Sequence, residues 1–213
     1  MIKVIPFTYN VEDDIISNTF ILIDSKKRCF VVDPGCDYDG IVNYIKKNDL
    51  DLKGILLTHT HFDHMRGINR LLKYKDVPLF VEENDVPGLT NPTYNCSNYF
   101  DRSSSIVISK SPNSVSDGDL IKGLEEDVVV LSTPYHTIGS CCYYLKDNRI
   151  LLSGDTLFKM TIGRSDLPTS SPNYKKSTFE KLLKLPDDVN VYPGHGRNTS
   201  IGEERIKNPF IKR

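Results

Sequence analysis

Four apolar runs in this chain lead into a histidine or an aspartate, and this limits the fold more than any other feature. His59 follows GILLT, His136 follows VVVLSTPY, Asp155 follows ILLSG and His195 follows VNVYPG. Short apolar runs bounded by turn signals read as buried strands. In sheets flanked by helices, side chains converge where strands finish and the chain turns, so ligand sites collect at carboxyl ends. A compatible fold brings four such ends to one place.

The rest of the pattern says how. Strands are expected at 2–8, 15–24 and 28–33, the last two joined as a hairpin by Asp24-Ser25-Lys26-Lys27. Ile41, Val42 and Ile45 at helical spacing predict a surface helix over 37–48, and Met65, Ile68, Leu71 and Leu72 predict a second over 64–75. A strand at 54–58 lies between them, and PLFVEE forms another after the second. Residues 84–112, rich in Asn, Pro and Ser, read as a long irregular loop, a kind of segment that often covers a site. The second half adds strands at 128–133, 140–145, 149–153 and 189–192, with a helix near 174–185 that Pro186 stops. Two packed sheets with helices outside, an α/β (α+β) four-layer αββα sandwich, accommodate this order. No linker marks a break, so 1–213 is expected to form one domain.

Composition removes several functions. Lys plus Arg number 27 against 28 Asp plus Glu, and no long basic run is present to track a phosphate backbone, so nucleic acid is not an expected partner. No apolar run is long enough to span a bilayer, and MIKVIPFTYN lacks the apolar centre of a signal peptide, so no membrane association and a cytoplasmic location are expected. Cys29, Cys36, Cys96, Cys141 and Cys142 contain no CxxC pair and read as reduced, mostly buried thiols.

Within Thr58-His59-Thr60-His61-Phe62-Asp63-His64 an extended backbone projects His59 and His61 to the same side, where two imidazoles can grip one ion. Asp63 and His64 lie at the turn into the next helix and can reach a second ion, with Asp155 available as a bridging carboxylate. A single histidine is more often structural than ligating. All five of this chain's histidines at strand ends, three of them within six residues, make that reading a poor one here.

THTHFDH resembles the HxHxDH signature of the metallo-β-lactamase superfamily, and YHTIGS, SGDTLF and YPGHG resemble its later motifs in order and spacing. Within it, IGRSDLP after GDTLF, followed by YPGHG, Glu203-Glu204 and Asn208-Pro209-Phe210, is most similar to the short single-domain form of glyoxalase II, hydroxyacylglutathione hydrolase. The resemblance implies that His59, His61 and His136 hold one divalent metal, that Asp63, His64 and His195 hold another, and that Asp155 bridges them. Nitrogen and oxygen ligands suit zinc first, with iron or manganese as alternatives. It also places Arg164 against the thiol part of a substrate; Asp33 in VVDPG is a candidate to hydrogen-bond a ligand histidine.

The expected chemistry is hydrolysis of a small-molecule thioester such as S-D-lactoylglutathione, with two cations making hydroxide available at neutral pH. A thiolate leaving group needs no general acid, and apart from the ligands no catalytic side chain is expected. The longer glyoxalase II enzymes carry a GHEY tyrosine where this chain has Gly196-Arg197, and a helical C-terminal domain that grips glutathione, so weak recognition of the thiol is expected. The rival readings are a persulfide dioxygenase with one iron, whose family GRSDLP also resembles, and a hydrolase of another ester or a lactone. Oligomeric state is not legible.

Overall fold

The computed structural model describes residues 1–8, 17–35, 39–100 and 105–211. The first sheet runs β1 (Lys3–Thr8), β2 (Asn18–Ile23), β3 (Arg28–Val32), β4 (Asp51–Leu57), β5 (Leu79–Glu82) and β6 (Asn113–Val115), hydrogen-bonded in that order. It is antiparallel through β3 and parallel from β3 to β6. The chain then forms β7 (Leu120–Ile121), β8 (Val128–Ser132), β9 (Cys141–Leu145), β10 (Ile150–Gly154), a separate hairpin β11 (Leu157–Phe158) and β12 (Thr161–Ile162), then β13 (Asn190–Pro193) and β14 (Thr199–Ser200). The second sheet is ordered β14-β13-β10-β9-β8-β7. The helices are α1 (Asp39–Lys47), α2 (Phe62–Met65), α3 (Ile68–Tyr74), α4 (Ser97–Phe100), α5 (Lys175–Leu182) and α6 (Ile201–Lys207).

Successive strand residues point to opposite faces, and here they enter different cores. Phe20, Leu22, Phe30, Val32 and Leu56 meet Val128, Val130, Cys141, Tyr143 and Leu152 between the sheets. Their strand neighbours Ile21, Val31, Ile55 and Leu57 pack instead under Ile41 and Ile45 of α1, Met65 of α2 and Ile68 and Leu71 of α3. On the far side Cys142, Tyr144, Leu151 and Val191 pack under Phe179 and Leu182 of α5 and Ile201 of α6. Three apolar layers between four layers of secondary structure make the αββα sandwich. Strands apolar on both faces, such as CCYYL, are what a sheet covered on both sides requires.

The hairpin from β2 to β3 forms around Asp24, whose Oδ1 accepts from the amides of Lys26 and Arg28 at 2.9 Å each. The strand expected over 15–24 is seen from Asn18, with 15 and 16 outside the described residues; the same holds for 37 and 38 ahead of α1 and for Cys36. The other four cysteines are buried and free. The single helix expected over 64–75 is two helices. Gly67 interrupts the stripe by donating its amide to Pro34 O at 2.7 Å, which frees α2 to aim separately from α3. The segment 84–112, apart from 101–104, which are not described, is less irregular than expected. It opens with a 3-10 helix over Glu83–Leu89 and contains α4, and buried Asn95 ties its limbs by donating to Gly88 O and Ile106 O, each at 2.9 Å. No helix among the described residues is long and apolar enough to cross a membrane.

Candidate metal centre

The carboxyl ends of β4, β8, β10 and β13 deliver the residues read from sequence to one place. Beyond β4, extended His61 (φ −67°, ψ 146°) leads directly into α2, so His59 and His61 precede the helix while Asp63 and His64 ride its first turn. His136 comes from the loop after β8, Asp155 from the end of β10 and His195 from the end of β13. Three groups of ligand atoms lie within 4.8 Å of one another: His59, His61 and His136; His59, His64 and Asp155; Asp63, His64 and His195. His61 Nδ1 and His136 Nε2 are 2.9 Å apart.

Asp155 sits between the two ends of this cluster. Its Oδ2 is 3.5 Å from His136 Nε2 and 3.4 Å from His195 Nε2, and its Oδ1 is 3.3 Å from His64 Nε2. Asp63 Oδ2 lies 3.2 Å from His195 Nε2 and 3.6 Å from His64 Nε2. His59 Nε2 and His61 Nε2 are buried without a hydrogen bond, while Asp155 Oδ1 has only His64 Nε2 beside it. Such orphaned groups cost about 1–3 kcal/mol each unless something electrophilic meets them. Orphaned donors in an imidazole and carboxylate set are what a divalent cation satisfies, so the cluster fits metal binding.

Outer contacts fix these rings. Asp33 Oδ2 is 3.1 Å from His64 Nδ1, and the same carboxylate accepts from Thr58 N at 2.8 Å and Thr58 Oγ1 at 2.6 Å. Asp33 reaches both by taking a left-handed backbone, φ 47°, a conformation that costs roughly 1–2 kcal/mol in a non-glycine residue. His136 Nδ1 donates to Arg164 O at 2.7 Å, leaving Nε2 for the cluster. Asn18 joins the sheets beneath His195. Its backbone amide donates to Gly194 O at 2.6 Å, and its Nδ2 donates to Pro193 O at 3.0 Å and Gly196 O at 2.9 Å.

The two ends of the cluster hold protons differently. Burial, reinforced by neighbouring imidazoles, pushes His59 well below its usual range and His61 down to about 3, so both are neutral at pH 7. Burial also opposes charge on His64, but Asp155, Asp63 and Asp33 outweigh it and hold this ring well above its usual range. His195 is raised to about 10, again against burial, by Asp155 and Asp63. A cation entering at Asp63, His64 and His195 must therefore displace protons, whereas His59 and His61 have none to lose. Competitive zinc titrations are expected to show one ion strengthening steeply with pH between 6.5 and 8.5, by up to about tenfold per unit for each proton displaced, while the other changes less. Parallel, flat affinities for both ions would contradict the proton placement.

A cavity of about 210 Å³ opens onto the cluster, walled by Phe62, Leu167 and Cys96 beside Arg164. Arg164 is exposed and pairs with Asp166 through two contacts of 2.7 and 2.8 Å. Its side chain pairs with Asp166, and it is the backbone carbonyl that meets the cluster, at His136. Sequence reading did not find Asn18 or Asp85, a buried carboxylate behind Thr60. Neither lies in a recognisable motif.

Residues 13–195 match the metallo-beta-lactamase superfamily. A Bacillus subtilis relative, "Probable metallo-hydrolase YqgX", is 35% identical over 92% of each chain. Hydroxyacylglutathione hydrolase GloC of Haemophilus influenzae is 28% identical over 91% of this chain and 92% of its own. Among solved structures, the BLEG-1 B3 metallo-beta-lactamase aligns with a TM-score of 0.89 at 29% identity over 100% of both chains. TTHA1623 in a di-iron-bound form aligns at 0.83 and 27%, over 97% of this chain and 99% of that one. With its strand ends, its histidine and aspartate cluster and this match all in register, the chain belongs to the metallo-β-lactamase superfamily.

Proposed function

We propose that the protein is a binuclear metal-dependent hydrolase of small-molecule thioesters, similar in reaction to glyoxalase II. The observation that carries this reading is the convergence of seven nitrogen and oxygen donors from four strand ends beside an open cavity. His59, His61 and His136 would hold one ion, Asp63, His64 and His195 the other, with Asp155 shared. Bound there, two divalent cations would supply Lewis acidity for activating water and polarising a carbonyl. The donor set suits zinc; the di-iron form of TTHA1623 keeps iron in view as an alternative, and nitrogen and oxygen ligands also accept manganese.

The chain's own groups do the rest. Asp33 and the Arg164 carbonyl hold His64 and His136 in orientation. Phe62 and Leu167 give the cavity apolar walls against which the acyl group would pack. A thiolate with a pKa of about 8.5 departs without a proton donor, so no side chain is required as an acid for the leaving group. Arg164, at the cavity and paired with Asp166, would meet an anionic group on the thiol portion by exchanging that contact. A cavity of about 210 Å³ encloses the reacting end of such a substrate and little of its carrier.

The test is hydrolysis of S-D-lactoylglutathione and of a truncated acyl thioester by protein of known metal content, with nitrocefin as control because of the likeness to a B3 β-lactamase. Specificity constants for the two thioesters are expected to agree within about tenfold, since few contacts hold the carrier. Nitrocefin turnover exceeding both would replace the substrate class with a lactam. Oxygen uptake with glutathione persulfide and no thioester cleavage would favour the one-iron dioxygenase.

A further inference from the structure

Behind the cluster lies a buried carboxylate that neither metal-binding set includes. Asp85 is 3% exposed and sits in the 3-10 helix after β5. Its Oδ2 accepts from Thr60 N at 2.7 Å and Thr60 Oγ1 at 3.1 Å, and its Oδ1 accepts from Gly139 N at 3.0 Å. Thr60 is the residue between His59 and His61, and Gly139 lies three residues past His136. One carboxylate thus ties the two loops that supply the three-histidine group.

The fit leaves no slack on either side. A Cβ on Gly139 would come within 2.3 Å of Asp85 N, and one on Gly88, in the same 3-10 helix, within 2.0 Å of Thr60 Oγ1. Burial pushes the Asp85 carboxyl upward, opposed by the Thr60 amide, the Thr137 hydroxyl and the Gly139 amide. Among the described residues only neutral donors reach it. A buried carboxylate held this way is unfavourable for folding compared with an apolar residue, so its presence calls for a positional reason.

The geometry points to Asp85 as a positioning residue that sets the spacing of His59 and His61 against His136, and so the affinity and geometry of the ion they hold. This rests on the metal-site reading above. Its effect would pass through backbone amides, since Asp85 touches none of the three rings.

Cobalt(II) added to metal-free protein tests this by its absorption spectrum and affinity, with thermal unfolding of the metal-free form measured alongside. In Asp85→Asn one of the two acceptor oxygens becomes a donor, so one tie breaks at constant volume; in Asp85→Ala both are lost. Cobalt affinity is expected to fall about tenfold in the first and up to about a hundredfold in the second, with the visible spectrum altered in both. Thr60→Val, which removes only the hydroxyl tie, is expected to show the same spectral change more weakly, and it carries the test if Asp85→Ala does not fold. Folded variants with the wild-type spectrum and affinity would overturn the role while leaving the metal site standing. Wild-type protein that takes up no cobalt would overturn both.

Discussion

Replacing Asp155 with alanine is expected to lower metal content at both ends of the cluster and to cut hydrolysis by about a hundredfold or more. Among the described residues Asp155 is the one carboxylate within 3.5 Å of His136, His64 and His195 together. Its removal leaves an ion held by His59, His61 and His136 with no carboxylate, and one held at His64 and His195 with Asp63 alone. It also takes away the strongest pull holding protons on His64 and His195, so the pH dependence of residual binding should flatten. His195→Ala, by contrast, removes a ligand from one end only and should spare the ion among His59, His61 and His136. Elemental analysis of both variants decides it. Near-normal and equal occupancy in the two would mean the ions sit elsewhere.

A second large effect is expected from a residue that ligates nothing. A Cβ on Gly194 would lie 2.2 Å from Asp155 Oδ1 and 2.6 Å from His64 Cε1, so Gly194→Ala forces the shared carboxylate or the ring beside it to move. Neither yields easily, because His64 is held from behind by Asp33 and Gly194 is itself bonded through its amide to Gly154 O at 2.8 Å. Overpacking of this kind costs about 1–3 kcal/mol of stability. The larger consequence should be a loss of metal affinity of at least about tenfold in zinc titration, with the fold retained by circular dichroism. Unchanged affinity would mean that the glycine is accidental.

The convergence of the candidate site was legible because it is built from rare residues in tight spacing. Five histidines and Asp63 and Asp155 announce themselves, and Asp33 could be picked out by its place before Pro34-Gly35 at the end of a strand. The sheets were legible for a different reason: Val, Ile, Leu and Tyr runs long enough to show a period. What was lost is what has neither property. β6, β7 and β14 are two or three residues long, and α6 buries only Ile201 and Glu204, too few for a helical stripe. The break between α2 and α3 turns on one long-range bond from Gly67 to Pro34. Asp85 looks like any loop aspartate until Thr60 and Gly139 close on it. Long-range contacts of that kind leave no local trace, and the organisation of 84–112 around Asn95 was hidden in the same way.

The link from Asn18 to the segment around His195 has a consequence for how the protein comes to be. Its three bonds join residues 175 to 178 positions apart, two to the Asn18 side chain and one to its backbone. During synthesis, at about 5–20 residues per second, the N-terminal hairpin waits roughly ten to thirty-five seconds for the strand that completes its contact. For most of that interval His59, His61, Asp63 and His64 are already made while His195 is not. The Asp63, His64 and His195 group is therefore completed only when β13 arrives.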